Sequence, residues 1–184
     1  KGFDMQGLKI LKKKKNLRVI DITNFKKVNN FTIKQFNNSV LLQGKDNIIF
    51  NKKDLRFVTK NKPSKKELGE IEFAFNICKF VKSNAIVITN NFSTIGIGAG
   101  QPSRLDSCKI AAQKAKQFQP HKLKNAIAAS DAFFPFPDGI KALIKSGIKI
   151  IVQPGGSIKD KEVIQVANKA NIKMVLTGTR HFNH

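Results

Sequence analysis

With 184 residues the chain is long enough for one ordinary domain, or for two small lobes sharing a core. Its hydrophobic content of 41% supports a packed interior, and no uninterrupted apolar run approaches the roughly 20 residues of a spanning helix, so no membrane-spanning helix is expected. Lys and Arg number 34 against 12 Asp and Glu, a net charge of +22 that attracts polyanions and speeds encounters with phosphate-bearing ligands.

The basic residues are scattered through predicted strands, helices and turns, where a nucleic-acid-binding protein would gather them on one face. A basic nucleic-acid-binding module and a non-catalytic nucleotide-binding module stand as alternatives, with no specific nucleic-acid partner expected. Cys78 and Cys108 lie far apart in predicted helices, outside any CxxC or His/Cys cluster, so neither a disulfide nor a metal site is expected. Buried thiols of a cytoplasmic protein explain them. The chain opens on Lys1 and reads as part of a longer protein.

In chain order, Gly2 to Lys15 suits a helix tail with Leu8 and Leu11 on one face. Leu17 to Ile22 alternates as a half-buried strand does, and Val40 to Gln43 and Leu55 to Thr59 read as two further strands. After Pro63, Ser64 and Glu67 have capping-box spacing for a helix reaching about Val81. Its apolar face carries Leu68, Ile71, Ala74, Phe75, Cys78 and Val81. A hairpin follows, Ala85 to Thr89 and back through Ile97, and then a helix from about Pro102 to Gln117. From Ala126 strands and helices alternate: strand 126–129, helix 138–145, strand 148–152, helix 160–169 and strand 173–176. That pattern predicts a parallel sheet with both faces covered.

In such sheets ligands gather beyond the carboxyl ends of the strands. The turns Ser130 to Asp138, Gln153 to Ile158 and Thr177 to Arg180 all follow strand ends and should share one rim, which the glycine-rich Gly98 to Arg104 turn is placed to join. Gly96, Gly98 and Gly100 allow positive φ or close approach to a ligand. Pro102 suits a first helical position, where its missing N–H costs nothing. The free N–H groups of that helix start, with Arg104 beside them, favour an anion. Arg104 and Arg180 suit phosphate or carboxylate. Phe133, Phe134 and Phe136 offer either a wall for a flat heteroaromatic ligand or core packing. Asp138 is either a ligand contact or the cap of its helix. His181 and His184 lack the acidic or thiol partners of a metal site.

Four segments carry a resemblance: Ile95-Gly96-Ile97-Gly98-Ala99-Gly100-Gln101-Pro102-Ser103-Arg104-Leu105, Ser130-Asp131-Ala132-Phe133-Phe134-Pro135-Phe136-Pro137-Asp138, Gln153-Pro154-Gly155-Gly156-Ser157-Ile158, and Thr177-Gly178-Thr179-Arg180-His181-Phe182-Asn183-His184. In this order and spacing they resemble the C-terminal end of the bifunctional purine-biosynthesis family that joins AICAR transformylase to IMP cyclohydrolase. A weaker likeness continues through Lys1 to Lys62, including the lysine run Leu11 to Arg18.

The resemblance implies an α/β, cytidine-deaminase-like layered fold without zinc, preceded by a small β-rich segment. Residues 1–62 would continue from an upstream transformylase lobe and 63–184 form the C-terminal lobe. It implies formyl transfer from 10-formyltetrahydrofolate to AICAR in purine (IMP) biosynthesis, by a parent enzyme that is a homodimer and also has IMP cyclohydrolase activity. AICAR would contact Asn84, Arg104, Phe133 and Arg180, and the folate Leu105, Asp138, Ser157 and Ile158. Leu105 is a conservative replacement. Pro137 stands where the family commonly has arginine, and Pro102 where it has Gln or Met. The family's catalytic base lies in a Lys-His-x-Asn-Pro-Cys-Gly segment that is absent between Lys1 and His184. No catalytic residue is therefore assigned, and the chain alone is expected to be inactive.

Overall fold

The computed structural model describes residues 2–24, 31–48 and 50–183. Its contacts separate Lys1–Lys45 from Asp46–His184. In the first unit, helix α1 (Met5–Lys12) is capped by Asp4, whose side chain accepts from the Gly7 N–H at 2.7 Å. Strands β1 (Phe31–Phe36) and β2 (Ser39–Gly44) form an antiparallel hairpin, with Asn37 in the left-handed region of its turn. The strand expected over Leu17 to Ile22 does not form. Asp21 accepts from both the backbone and the hydroxyl of Thr23, a local bonding pattern that competes with a ladder, and among the described residues no strand pairs with this segment.

The second unit follows the expected alternation. A short 3-10 turn (Lys52–Asp54) leads into β3 (Arg56–Phe57), then α2 (Lys65–Cys78), β4 (Ile86–Asn90), β5 (Ser93–Gly98) and α3 (Arg104–Phe118). The short α4 (Pro120–Leu123), β6 (Ile127–Ser130), α5 (Pro137–Lys145), β7 (Ile150–Gln153), α6 (Asp160–Lys169) and β8 (Lys173–Leu176) complete it. These strands make one mixed six-stranded sheet in the order β3-β8-β7-β6-β4-β5. Strands β6, β7 and β8 are mutually parallel, whereas β3, and β4 against both its neighbours, pair antiparallel. Because β3 pairs with β8, the chain joins the main sheet before Pro63, and the division falls at Lys45/Asp46.

Strand alternation explains the layers. Val87, Ile127, Ala129, Ile150, Val152 and Val175 face α2, where Ile71, Ala74, Phe75 and Cys78 are buried against them. Ile86, Ile88, Ala128, Ile151, Met174 and Leu176 point the other way, toward α3, α5 and α6. A sheet covered on both faces carries apolar residues at successive positions, as these strands do. The capping box predicted at Ser64 and Glu67 is present in both directions.

Two glycine expectations are revised. A Cβ at Gly96 would overlap the Ala111 carbonyl, and one at Gly98 the Ser107 carbonyl. These glycines let β5 lie directly against the backbone of the alanine-rich α3, rather than admitting a ligand. Gly100, at φ +67°, supplies the left-handed turn that follows. Pro102 precedes the N-cap Ser103 and is outside α3, which starts at Arg104.

Candidate functional site

Register fixes where the turns meet. Ile86 at the start of β4 pairs with Gly98 at the end of β5 and with Ser130 at the end of β6. The antiparallel β4 therefore brings its own beginning, with Asn84 just before it, to the rim formed by the carboxyl ends of β5 and β6. The parallel strands β7 and β8 deliver Pro154 and Thr177 onward to the same end of the sheet. A cavity of about 570 Å³ opens there, and Asn84, Arg104, Leu105, Phe133, Asp138 and Arg180 line it. Ser157 and Ile158 are not on its wall. Gly155 and Gly156, at φ +73° and +96°, turn that segment outward, and Ile158 is 99% exposed.

Arg104 does not stand free at a helix start. It is buried, and its Nη1 donates to Asp131 Oδ1 at 2.5 Å and to Ser130 Oγ at 2.8 Å, while Nη2 donates to Asn84 Oδ1 at 2.7 Å. Asn84 is itself committed: its Nδ2 donates to the carbonyls of Gln101 and Pro102 at 2.9 and 3.0 Å, and its own carbonyl accepts from Ser107 Oγ at 2.8 Å. Only the Arg104 bonds are charge-assisted, and the neutral bonds of Asn84 extend them into a network that restrains the side chains it joins. Arg180 differs. It is exposed, its guanidinium lies 5.1 Å from the Phe182 ring centroid, and among the described residues no carboxylate pairs with it.

The three phenylalanines divide between their two readings. Phe134 is core, 1% exposed, and its N–H donates to the buried Gln153 Oε1 at 2.9 Å. Phe133 is half-buried and Phe136 is 57% exposed, and both line the cavity. Asp138 is not the helix cap: Phe136 holds that position, with Pro137 first in α5. Its carboxylate is exposed at the cavity and accepts from the Gly139 N–H at 2.7 Å.

Sequence reading missed Ser130, Asp131 and Gln153, all buried and all shaping the rim. A signal existed: Ser130-Asp131 continues directly from an apolar strand, and a carboxylate there requires a cation partner. His181 was assigned no role. It is 2% exposed, packs its ring 4.8 Å from Phe75 and pairs through Nδ1 with Asp46. Burial opposes ionisation of Asp46, but the bonds from His181 and the Ile48 N–H, with the charges of His181 and Lys79, hold its carboxyl below the usual range. Burial pushes the Cys108 thiol up to about 12, against the opposing Arg104 charge and with Asp138 adding to it, and burial also raises Cys78 well above its ordinary value. Neither thiol is a nucleophile. Among the described residues no cluster of His, Cys, Asp and Glu is suited to a metal ion, and no helix is long and apolar enough to cross a membrane.

Fold and rim together define an α/β protein with a largely apolar pocket, carrying a few polar side chains, at one end of its sheet. The family model for the AICARFT/IMPCHase bienzyme matches residues 1–114, and the chain belongs to that family. It is 46% identical over 182 residues to the bifunctional purine biosynthesis protein PurH of Aquifex aeolicus, and 47% identical over 183 residues to that of Buchnera aphidicola subsp. Schizaphis graminum. Each match covers 99% of this chain and 35% of the relative, so the chain spans about a third of the length of these proteins. Among solved structures it is similar to a diaminohydroxyphosphoribosylaminopyrimidine deaminase/5-amino-6-(5-phosphoribosylamino)uracil reductase from Thermotoga maritima, at 18% identity and a TM-score of 0.39 over 56% of this chain and 34% of that one.

Proposed function

We propose that this chain is the C-terminal portion of the AICAR transformylase part of a bifunctional purine-biosynthesis enzyme, with the cytidine-deaminase-like layering of that domain. Its rim binds AICAR through Asn84, Arg104, Phe133 and Arg180. Leu105 and Asp138, together with Ser157 and Ile158 on the neighbouring loop, meet the 10-formyltetrahydrofolate that donates the formyl group. One observation carries the reading: six of these eight residues, drawn from four separated segments, line one cavity. The chemistry agrees. Arg180 offers an anion a guanidinium that no carboxylate among the described residues pairs with, and Phe133 and Phe136 supply flat apolar wall for a heterocycle.

The chain alone does not transfer the formyl group. The nucleophilic amine must lose a proton, and among the described residues no histidine or lysine lines the cavity, leaving only the exposed Asp138 carboxylate, which accepts from the Gly139 N–H. A missing general base commonly costs about 100- to 10,000-fold in rate. The parent enzyme is cytoplasmic and homodimeric in this account, and its remaining chain supplies the base.

Two assays test it. Calorimetric titration of AICAR into the chain should give binding that Arg180→Ala weakens at least tenfold, and unchanged affinity would refute the site. With AICAR and 10-formyltetrahydrofolate supplied, the chain alone should form no product; turnover would overturn the predicted inactivity.

A further inference from the structure

We infer that Asp131 is a positioning residue of the rim, fixing the plane of the Arg104 guanidinium with its carboxylate and tying in the segments of Asn84 and Arg180 with its peptide group. The consequence for AICAR rests on the function proposed above; the geometry does not.

Asp131 is 1% exposed and does not line the cavity, so it can act on a ligand only through its neighbours. Its Oδ1 accepts from Arg104 Nη1 at 2.5 Å, beside Ser130 Oγ on the same nitrogen, and Asn84 Oδ1 takes Nη2. Three acceptors around a rigid planar fork leave one orientation. The main chain of Asp131 is used as well. Its N–H donates to the carbonyl of Ala85, the residue after Asn84, at 3.3 Å, and its carbonyl accepts from the N–H of His181, the residue after Arg180, at 2.9 Å. One buried residue thus holds Arg104 directly and the immediate neighbours of two other polar cavity residues.

The ion pair is poorly suited to stabilisation alone. Asp131 Oδ2 is buried without a hydrogen-bond partner among the described residues. Buried pairs with unsatisfied atoms are commonly no better than apolar packing of the same volume. Orientation is what this carboxylate contributes: an apolar side chain in its place would fill the volume without fixing the guanidinium.

The experiment uses arginine side-chain NMR on the full chain. In the wild type the Arg104 guanidinium should show hindered rotation, with resolved Nη resonances, and coupling across its hydrogen bond to the Asp131 carboxylate. Asp131→Asn should keep the backbone spectrum outside the rim, average the Nη resonances and weaken AICAR binding at least tenfold. The double variant Asp131→Asn/Arg104→Ala should bind no more weakly than Arg104→Ala. A freely rotating Arg104 in the wild type overturns the inference even if Asp131→Asn does not fold. So does a folded Asp131→Asn in which Arg104 stays restrained. Restrained Arg104 in a wild type that binds no AICAR would instead sink the proposed function and leave the positioning role standing.

Discussion

The two sides of the cavity are built differently. On the side made by β4, α3 and β6, the polar residues bond to one another: buried Arg104 joins buried Ser130 and Asp131 to half-buried Asn84. On the side made by the loop after β8, Arg180 is exposed and Gly178 holds positive φ, and the loop after β7, outside the wall, carries exposed Ile158. The first side has met its ordering cost during folding; the second has residues still able to adapt. A site of this kind presents a fixed frame to one part of a ligand and closes on the rest.

This contrast breaks first at Arg104. Arg104→Ala strands the Asp131 carboxylate and should lower unfolding free energy by about 3–5 kcal/mol, read from urea denaturation. Gly98→Ala drives a methyl into the Ser107 carbonyl, and overpacking of that kind costs about 1–3 kcal/mol. On the open side, Arg180→Ala should leave stability within about 0.5 kcal/mol while the AICAR affinity falls, so equal losses of stability at Arg104 and Arg180 would erase the distinction. Ile158→Ala, at a fully exposed position, should not move the urea midpoint measurably.

The smallest effect concerns acid. Burial opposes ionisation of Glu67, but Lys173 and the Ser64 cap hold it below its ordinary 4.5, as His181 and the Ile48 N–H hold Asp46 below 3.8. Carboxyls lowered on folding stabilise fully above their unfolded values, and that contribution is lost as pH falls through their folded values. The urea midpoint should therefore hold down to about pH 4.5 and fall in more acid solution, with a shallower fall in Asp46→Asn.

Much of this was legible in the sequence, for identifiable reasons. The segment from Ser64 to Leu176 has strong periodicity and explicit stops, so helix faces, capping box and rim followed from pattern. Six assigned site residues came together because strand ends in an alternating chain converge. What stayed hidden depends on partners distant in sequence. Leu17 to Ile22 alternates like a strand, yet among the described residues no strand pairs with it; Phe31 to Phe36 was overlooked although it forms β1. Gly96 and Gly98 looked like ligand-binding glycines, and only the approach of α3 identifies them as packing glycines. The cation paired with Asp131 lies 27 residues away, and the partner of His181 lies 135 away; no local pattern reports either.

The most direct test of the central claim is a crystal structure of the chain grown with AICAR at saturating concentration. The ligand should lie in the cavity between Arg104, Phe133 and Arg180, with Asn84, Arg104 and Asp131 placed as they are without it. Ligand bound elsewhere, or an ordered rim left empty at saturation, would contradict it.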